Sequence, residues 1–254
     1  MSDEHPNIAR RDWRLQAITT LTKEFRSPSM GAVHPVGTAV EQAGFVLLDG
    51  GLLGIKVPNA AALFLSMAQR LATEADRFLR ERLRAGLLRD ADGQTIVGDG
   101  IEAGFFECLE NLAGAVIFSY TSIEAFANES IPDDYQHEMR RPDGRCIEVY
   151  DKQQAERHVA LDVKLDSILP KVLGVPSPKG TNPWQNFVAL KRVRDRFIHL
   201  KTSDRTQPRP ERVADSAWSM LVSPRVRASP VVAKALMLHY FPGKPPRWLA
   251  KCPF

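Results

Sequence analysis

The sequence is poor in the residues that build disulfide frameworks and metal sites. Its 254 residues include only three cysteines, at positions 108, 146 and 252, and six histidines that are dispersed along the chain. An odd, scattered set of cysteines argues against a disulfide framework, and no Cys-x-x-Cys pair offers the usual zinc ligands. We therefore expect a reducing, cytoplasmic setting, no structural metal and no cofactor.

Long apolar runs, internal repeats and low-complexity tracts are also missing. The longest apolar stretches, such as residues 112–118, are much shorter than a membrane span, and no signal-like segment opens the chain. We therefore expect a soluble protein without a membrane partner. With 44% hydrophobic residues, the chain can bury the core of one large domain, or of one domain with a smaller one attached.

Hydrophobic periodicity predicts a mainly α-helical protein with a small β-rich N-terminal region. After a polar stretch of about thirty residues, short apolar runs separated by glycines occupy residues 37–57, and Asp49-Gly50 between two of them is a hairpin signal. We predict that 1–56 form an extension with short strands and that 57–254 form an antiparallel helical domain with a second β-hairpin near 136–150. The predicted helices span about 59–89, 101–130, 154–174, 182–202, 210–222 and 230–241, and the first two should pair as a helical hairpin.

The most informative stretch is the cationic run from Lys191 to His199, which reads Lys-Arg-Val-Arg-Asp-Arg-Phe-Ile-His. Arginine offers a forked donor for phosphate, and imidazole is the side chain best suited to move protons near neutral pH. The run therefore indicates phosphodiester chemistry, which the formal net charge of +4 permits without requiring. A solvated helix face ending in a capping histidine would give the same pattern.

Arg194 falls on the apolar side of the predicted helix 182–202. At about 100° per residue it lies near Phe187 and Phe197. A guanidinium buried without a partner is costly, so Arg194 should meet a carboxylate or open into a pocket that accepts anions.

Glu124 is the natural carboxylate for Arg194. Together with Tyr120 and Asn128 it continues the apolar stripe of the preceding long helix, where a charged residue needs a buried partner. Such a pair either fixes the register of two helices or orients Arg194 toward a phosphate. The sequence alone is compatible with both roles.

Two segments together resemble HEPN domains. Residues 194–199, Arg-Asp-Arg-Phe-Ile-His, resemble the Arg-x4-6-His signature of these domains, including the polar residue that many members carry after the arginine. The segment 118–129 is similar to their first long helix. Arg192 fits the signature as well, because it encloses six residues with His199. Arg194 is preferred because Asp195 follows it.

This resemblance implies a HEPN-like helical bundle that acts as a metal-independent endoribonuclease, of the toxin or phage-defence kind, in a homodimer. Cleavage of RNA by its own 2′-hydroxyl needs a base, an acid and a cation for the charge on phosphorus. One chain offers one such histidine, so a two-fold interface would supply the second. An antitoxin or another regulatory protein would be a further partner.

The implied site has three catalytic residues. His199 transfers protons, Arg194 stabilises the phosphorane, and Asp195 orients one of the two. The residues that would bind flanking phosphates are Arg192, Arg196 and Lys201, and those that would support Arg194 are Glu124 and Asn128.

Two other functions fit the same residues. HEPN-like domains also serve as non-catalytic modules that dimerise and bind nucleic acid or nucleotide, in which case Arg194 and Glu124 would be structural. The chain could also be a protein-binding adaptor that uses its N-terminal strands and the C-terminal segment 240–249. Only a nuclease requires His199 and its arginine to open into the same solvated cleft.

Overall fold

The structure, a computed structural model, describes residues 8, 10–27, 31–140, 147–204 and 210–254. Most of the regular structure is helical and the strands form separate antiparallel pairs, which confirms the prediction of a mainly α protein. The chain divides into two compact units, Met1–Leu63 with Pro245–Phe254 and Phe64–Lys244. The domain boundary at 56/57 stays a prediction, and the last ten residues belong to the first unit rather than to the helical one.

The first unit contains short strands and a short C-terminal helix. Their bounds are Ile18–Thr20 (β1), Phe25–Arg26 (β2), Val33–His34 (β3), Ala39–Glu41 (β4), Ala43–Leu48 (β5), Gly51–Lys56 (β6) and Arg247–Ala250 (α10). β1 pairs with β4, β2 with β3, and β5 with β6, all antiparallel.

The β5–β6 hairpin is the one that Asp49-Gly50 predicted. Leu48 is opposite Gly51, so the loop has two residues, and both have positive φ, 49° at Asp49 and 80° at Gly50. This geometry is favoured in two-residue hairpin turns, and Asp-Gly adopts it at low cost. The prediction of a small N-terminal β-hairpin is therefore confirmed.

The C-terminal segment is bound within the same unit. The Arg247 guanidinium donates hydrogen bonds to the backbone carbonyls of Ile8 at 3.0 Å, Arg11 at 2.8 Å and Asp12 at 3.0 Å. Leu249 is completely buried. These contacts give the segment a structural role, since its cation and its apolar side chain are both used inside the unit.

The second unit is helical, and α1 begins just before it. The helices are Ala60–Glu81 (α1), Glu102–Ser130 (α2), Lys152–His158 (α3), Leu161–Val163 (α4), Leu169–Leu173 (α5), Asn182–Ile198 (α6), Ala217–Leu221 (α7), Pro224–Arg227 (α8) and Ser229–His239 (α9). A π-helical turn, Lys164–Ile168, joins α4 to α5. The strands are Leu87–Arg89 (β7), Thr95–Val97 (β8), His137–Arg140 (β9) and Ile147–Tyr150 (β10).

Helices α1 and α2 pack antiparallel, as predicted. The rings of Phe64 and Phe118 stack with 6.1 Å between their centroids, and further along α1 the carbonyl of Ala75 accepts a hydrogen bond from the Cys108 thiol at 3.7 Å. A residue near the start of α1 therefore contacts the later part of α2, and a residue further along α1 contacts the earlier part of α2, as in an antiparallel pair. Burial raises the pKa of the Cys108 thiol to about 11, so this cysteine is an unreactive core residue.

The first long helix ends earlier than the predicted residue 89. After Glu81 the chain turns, and β7 pairs with β8 in a small hairpin. The Asp90 carboxylate holds the turn by accepting hydrogen bonds from the backbone N–H groups of Asp92 and Gln94, at 3.0 Å and 2.7 Å. This local bonding stabilises the β7–β8 hairpin, and β7 lies in residues that had been predicted to be helical.

The predicted hairpin near 136–150 is also present. Strands β9 and β10 pair antiparallel, with Tyr150 opposite His137 and Ile147 opposite Arg140. Residues 141–146, including Cys146, lie outside the described residues.

The core of the second unit lies where α2, α6 and α9 pack against one another. Phe187 of α6 is completely buried there, and its ring stacks on Tyr120 of α2 with 6.1 Å between centroids and contacts Trp184 at 5.5 Å. This aromatic cluster fixes the face that α6 presents to α2. Within the described residues, no helix combines the length and the apolar character needed to cross a bilayer.

Replacing Phe187 by alanine should therefore lower the free energy of unfolding by about 3–5 kcal/mol, because a buried ring is lost and a cavity remains. The neighbouring Val188, which is 44% exposed, provides the matched control, and Val188→Ala should change stability by about 0.5 kcal/mol or less. Urea unfolding followed by far-UV circular dichroism measures both. Equal effects of the two substitutions would contradict this placement of the core.

Candidate functional site

Helix α6 carries the cationic run, and both of its ends are determined locally. It begins at Asn182, where the Thr181 hydroxyl accepts the N–H of Trp184 at 3.4 Å and Pro183 occupies the first turn. It ends at Ile198, four residues before the predicted end. The His199 N–H still bonds to the Asp195 carbonyl at 3.0 Å, but the His199 backbone, with φ −110° and ψ 61°, leaves the helix.

The Asp204 carboxylate explains the early end of α6. It accepts hydrogen bonds from the backbone N–H of Lys201 at 2.9 Å, the backbone N–H of Ala217 at 3.1 Å and the Arg196 guanidinium at 2.7 Å. Its side chain is only 2% exposed. Asp204 therefore folds the segment after His199 back over the end of α6 and attaches it to α7.

The same contacts determine the charge state of Asp204. Burial would raise the pKa of this carboxyl, but the N–H groups of Ala217 and Lys201 and the Arg196 guanidinium favour the carboxylate, and the net effect is a pKa below the ordinary value. Asp204 is therefore an anion at neutral pH. No local spacing in the sequence links Asp204 to Arg196 or Ala217, so its role could not be predicted.

An open groove of ≈ 470 Å³ lies along this end of α6. We call it the His199 groove. It is lined by Val188, Lys191, Arg192, Asp195, Arg196, His199 and Lys201. Five of the eight predicted site residues thus line one groove, and cations outnumber the single carboxylate.

The cations of the groove are not equally available to a ligand. Lys191 forms a salt bridge with Asp162 at 3.2 Å, and Arg196 is bonded to Asp204. Within the part of the chain that the structure describes, the side chains of Arg192, His199 and Lys201 make no hydrogen bond and no salt bridge. Two cations and an imidazole are therefore available to a bound anion.

Arg194 lies elsewhere. Its guanidinium sits over the Tyr120 ring, 4.5 Å from the centroid, and donates a hydrogen bond to Asp195 at 2.7 Å. The side chain is 31% exposed, on the apolar side of α6 as predicted, but it does not line the His199 groove. Burial keeps the pKa of Tyr120 above its ordinary value although the Arg194 charge opposes this, so a neutral ring lies beneath the guanidinium.

The predicted partners of Arg194 are close to a different cation. Lys164 is 1% exposed, and its ammonium donates hydrogen bonds to the Asn128 side chain at 2.8 Å and to the Glu156 carbonyl at 2.7 Å. Burial lowers the pKa of Lys164, and the charges of Glu124 and Glu156 oppose that shift. Among the described residues Glu124 forms no salt bridge with Arg194.

Lys164 was missed at the sequence level, although a signal for it exists. It follows Leu161 by three residues and precedes Ile168 by four, so it occupies an apolar position of its helix. A lysine at such a position is a candidate for a buried ammonium, as Glu124 was for a buried carboxylate. The predicted pairing of Glu124 with Arg194 does not take Lys164, a third charge on an apolar helix face, into account.

The chain matches no protein-family model, and no curated protein or solved structure matches it at a significant level.

The role of Asp204 predicts a pH-dependent effect on stability. Asp204→Asn should lower the melting temperature at neutral pH, because a stabilised carboxylate is lost. Since the folded pKa is depressed, this stabilisation is complete above the unfolded pKa of about 3.9 and disappears as the pH falls through the folded pKa. The difference in melting temperature between wild type and Asp204→Asn should therefore become smaller below about pH 4.

Thermal unfolding followed by circular dichroism at several pH values measures this difference. Asp215→Asn is the matched control, because Asp215 is an exposed aspartate that lies two residues before α7. A difference in melting temperature between wild type and Asp204→Asn that does not change with pH would contradict the role of Asp204 as a stabilising carboxylate.

Proposed function

We propose that this protein is a metal-independent endoribonuclease with a HEPN-like helical bundle, and that the His199 groove is its active site. One observation carries the proposal. Arg192, His199 and Lys201 lie on one open groove, and none of these side chains has an intramolecular hydrogen bond or salt bridge among the described residues. An imidazole beside cations that form no salt bridge supplies two of the three groups that metal-free RNA cleavage needs, a proton-transfer group and a charge for the phosphate.

The chemistry follows from the groups in the groove. The imidazole of His199 removes the proton from the ribose 2′-hydroxyl, the 2′-oxygen forms a bond to phosphorus, and the bond from phosphorus to the 5′-oxygen breaks. A protonated imidazole gives its proton to the leaving 5′-oxygen, which leaves a 2′,3′-cyclic phosphate. One groove holds one histidine, so the acid comes from His199 of a second copy across a two-fold interface.

We assign the phosphate-binding role to Arg192 rather than Arg194. Both arginines fit the Arg-x4-6-His pattern, but Arg192 lines the groove, whereas Arg194 is held between Tyr120 and Asp195. A guanidinium that stabilises the charge on phosphorus must reach the reacting group, and its forked donors suit two phosphate oxygens. Arg194 then positions Asp195, which lines the groove.

The remaining cations extend the electrostatic attraction for RNA along the groove. Lys201 is available for a flanking phosphate, while Lys191 and Arg196 are already paired with carboxylates and contribute mainly through the local potential. The proposal includes a toxin or phage-defence role with an antitoxin as regulator. This part of the proposal is supported only by the resemblance to HEPN domains.

A non-catalytic RNA-binding or nucleotide-binding module is the second candidate. It is favoured by the single imidazole in the groove, because a binding site needs cations but no acid–base pair. In that case the protein binds RNA with the salt dependence of phosphate contacts and leaves it intact.

Cleavage of a mixed RNA pool in EDTA tests the proposal. Wild-type protein should produce 2′,3′-cyclic phosphate ends, and His199→Ala should reduce the rate by about 100-fold or more, the usual effect of removing an acid–base group. His239→Ala, a histidine of α9, is the matched control. Full activity of His199→Ala would exclude the mechanism, and RNA binding without cleavage by the wild type would favour the second candidate.

The two arginines provide a separate prediction. Arg192→Ala should lower the cleavage rate by about 100-fold with little effect on folding, because an exposed charge that stabilises the transition state is lost. Arg194→Ala should lower the melting temperature and affect cleavage less. Circular dichroism and the cleavage assay measure both effects. Loss of cleavage by a well-folded Arg194→Ala, with Arg192→Ala still active, would reverse the assignment.

Lys201 should contribute one phosphate contact. For Lys201→Ala, the slope of log K against log salt concentration for single-stranded RNA should become shallower by about 0.7, the value for one neutralised phosphate. Fluorescence anisotropy of a labelled oligonucleotide at several salt concentrations measures the slope. Lys171→Ala, on α5, is the control, and the same change in slope for both variants would contradict a specific contact at Lys201.

A further inference from the structure

The β5–β6 hairpin exposes an unusual amount of apolar surface. Phe45, Leu47 and Leu52 are each 76% exposed. Leu47 is opposite Leu52, and Phe45 is opposite Gly54, so all three side chains lie on the same face of the hairpin. We call this the Leu47 face. The opposite face carries Val46, Leu48 and Leu53, which are less exposed, at 39%, 58% and 46%.

The edges of the hairpin are unprotected as well. β5 and β6 form a sheet of only two strands, so the outer N–H and C=O groups of each strand have no strand partner among the described residues. Proteins usually protect such edges with lysine, proline or inward-pointing charge. The hairpin, residues 43–56, contains no proline, and its only charges are Asp49 at the turn and Lys56 at the end of β6, where it is paired with Glu41. A hairpin of this kind is usually covered in the assembled protein.

We propose that the Leu47 face is the contact surface for a second copy of this chain, in a symmetric dimer in which the two faces pack against each other. This inference does not rest on the proposed nuclease activity. It concerns the first compact unit, whereas the His199 groove belongs to the second.

The exposed area agrees with this partner. The three side chains present roughly 400 Å² of apolar surface per copy, so two copies would bury about 800 Å². About 65% of the area of a homodimer interface is apolar. An apolar area of about 800 Å² therefore corresponds to a total buried area of about 1,200 Å², which is the lower end of the range for stable interfaces. The three side chains are therefore large enough to supply the apolar part of a small dimer interface, and polar surface around them would complete it.

The charge pattern favours a second copy over a lipid surface. In a two-fold dimer each patch meets the same patch of its partner. The part of the face formed by Phe45, Leu47 and Leu52 carries no charge and does so without like-charge repulsion, and Lys56 at the far end of β6 is paired with Glu41. An anionic membrane would instead be attracted by basic residues, and the turn carries Asp49, which opposes insertion of the hairpin tip.

Sedimentation equilibrium of the full chain over a wide concentration range tests the proposal. Wild-type protein should form a dimer. Leu47→Glu and Leu52→Glu should each weaken it by about 100-fold or more, because like charges would meet in a desolvated contact. The matched control is Leu48→Glu on the opposite face, which should leave the dissociation constant nearly unchanged. All of these positions are exposed, and circular dichroism confirms that each variant is folded.

Charge reversal identifies direct contact. A mixture of Leu52→Glu and Leu52→Lys should recover a heterodimer that neither variant forms alone. A wild-type protein that stays monomeric, a dimer unaffected by Leu47→Glu and Leu52→Glu, or equal disruption by Leu48→Glu would each overturn the proposal. Binding of monomeric wild type, but not of Leu47→Glu, to sedimented phosphatidylcholine–phosphatidylserine vesicles would assign the face to lipid and overturn it as well. None of these readouts depends on RNA cleavage.

Discussion

The geometry of the candidate site depends on the Asp204 carboxylate. It gathers the guanidinium of Arg196 and the N–H groups of Lys201 and Ala217 around one buried anion. Without these bonds we expect α6 to continue past Ile198 and His199 to keep a helical backbone conformation. The Asp204 carboxylate therefore shapes this end of the groove, and it takes the Lys201 N–H, a donor that a longer α6 would have used within the helix.

The cationic run divides its charges between two sides of α6. On one side Arg194 lies over the Tyr120 ring, which itself stacks on Phe187, so this arginine is part of the packing between α6 and α2. On the other side Arg192 and His199 face solvent in the groove. Asp195 connects the sides, because it accepts a hydrogen bond from Arg194 and also lines the groove. The positions of Arg194 and Arg192 around the helix axis thus place one in the packing against α2 and the other in the groove.

Sequence patterns predicted what depends on local periodicity. The long helix α2, the start of α6 and the Asp49-Gly50 turn all follow from residues close together in the chain, and the structure confirms them. The predicted salt bridge between Arg194 and Glu124 is not found among the described residues, because two charges on the apolar faces of two helices do not reveal that a third, Lys164, lies on another. The end of α6 was also missed, since Asp204 acts through Ala217, thirteen residues away. Contacts over such separations require the tertiary fold.

The buried Lys164 has a consequence for the uniqueness of the fold. An ammonium in an apolar interior tolerates few arrangements, because every loss of an acceptor leaves a desolvated charge unpaired. Its acceptors are Asn128 on α2 and the Glu156 carbonyl on α3, so the sliding of α2 past Lys164 by a single residue would break this set. Aliphatic contacts alone would penalise such a slip only weakly. Lys164 therefore disfavours alternative packings in which α2 is shifted along its axis relative to Lys164.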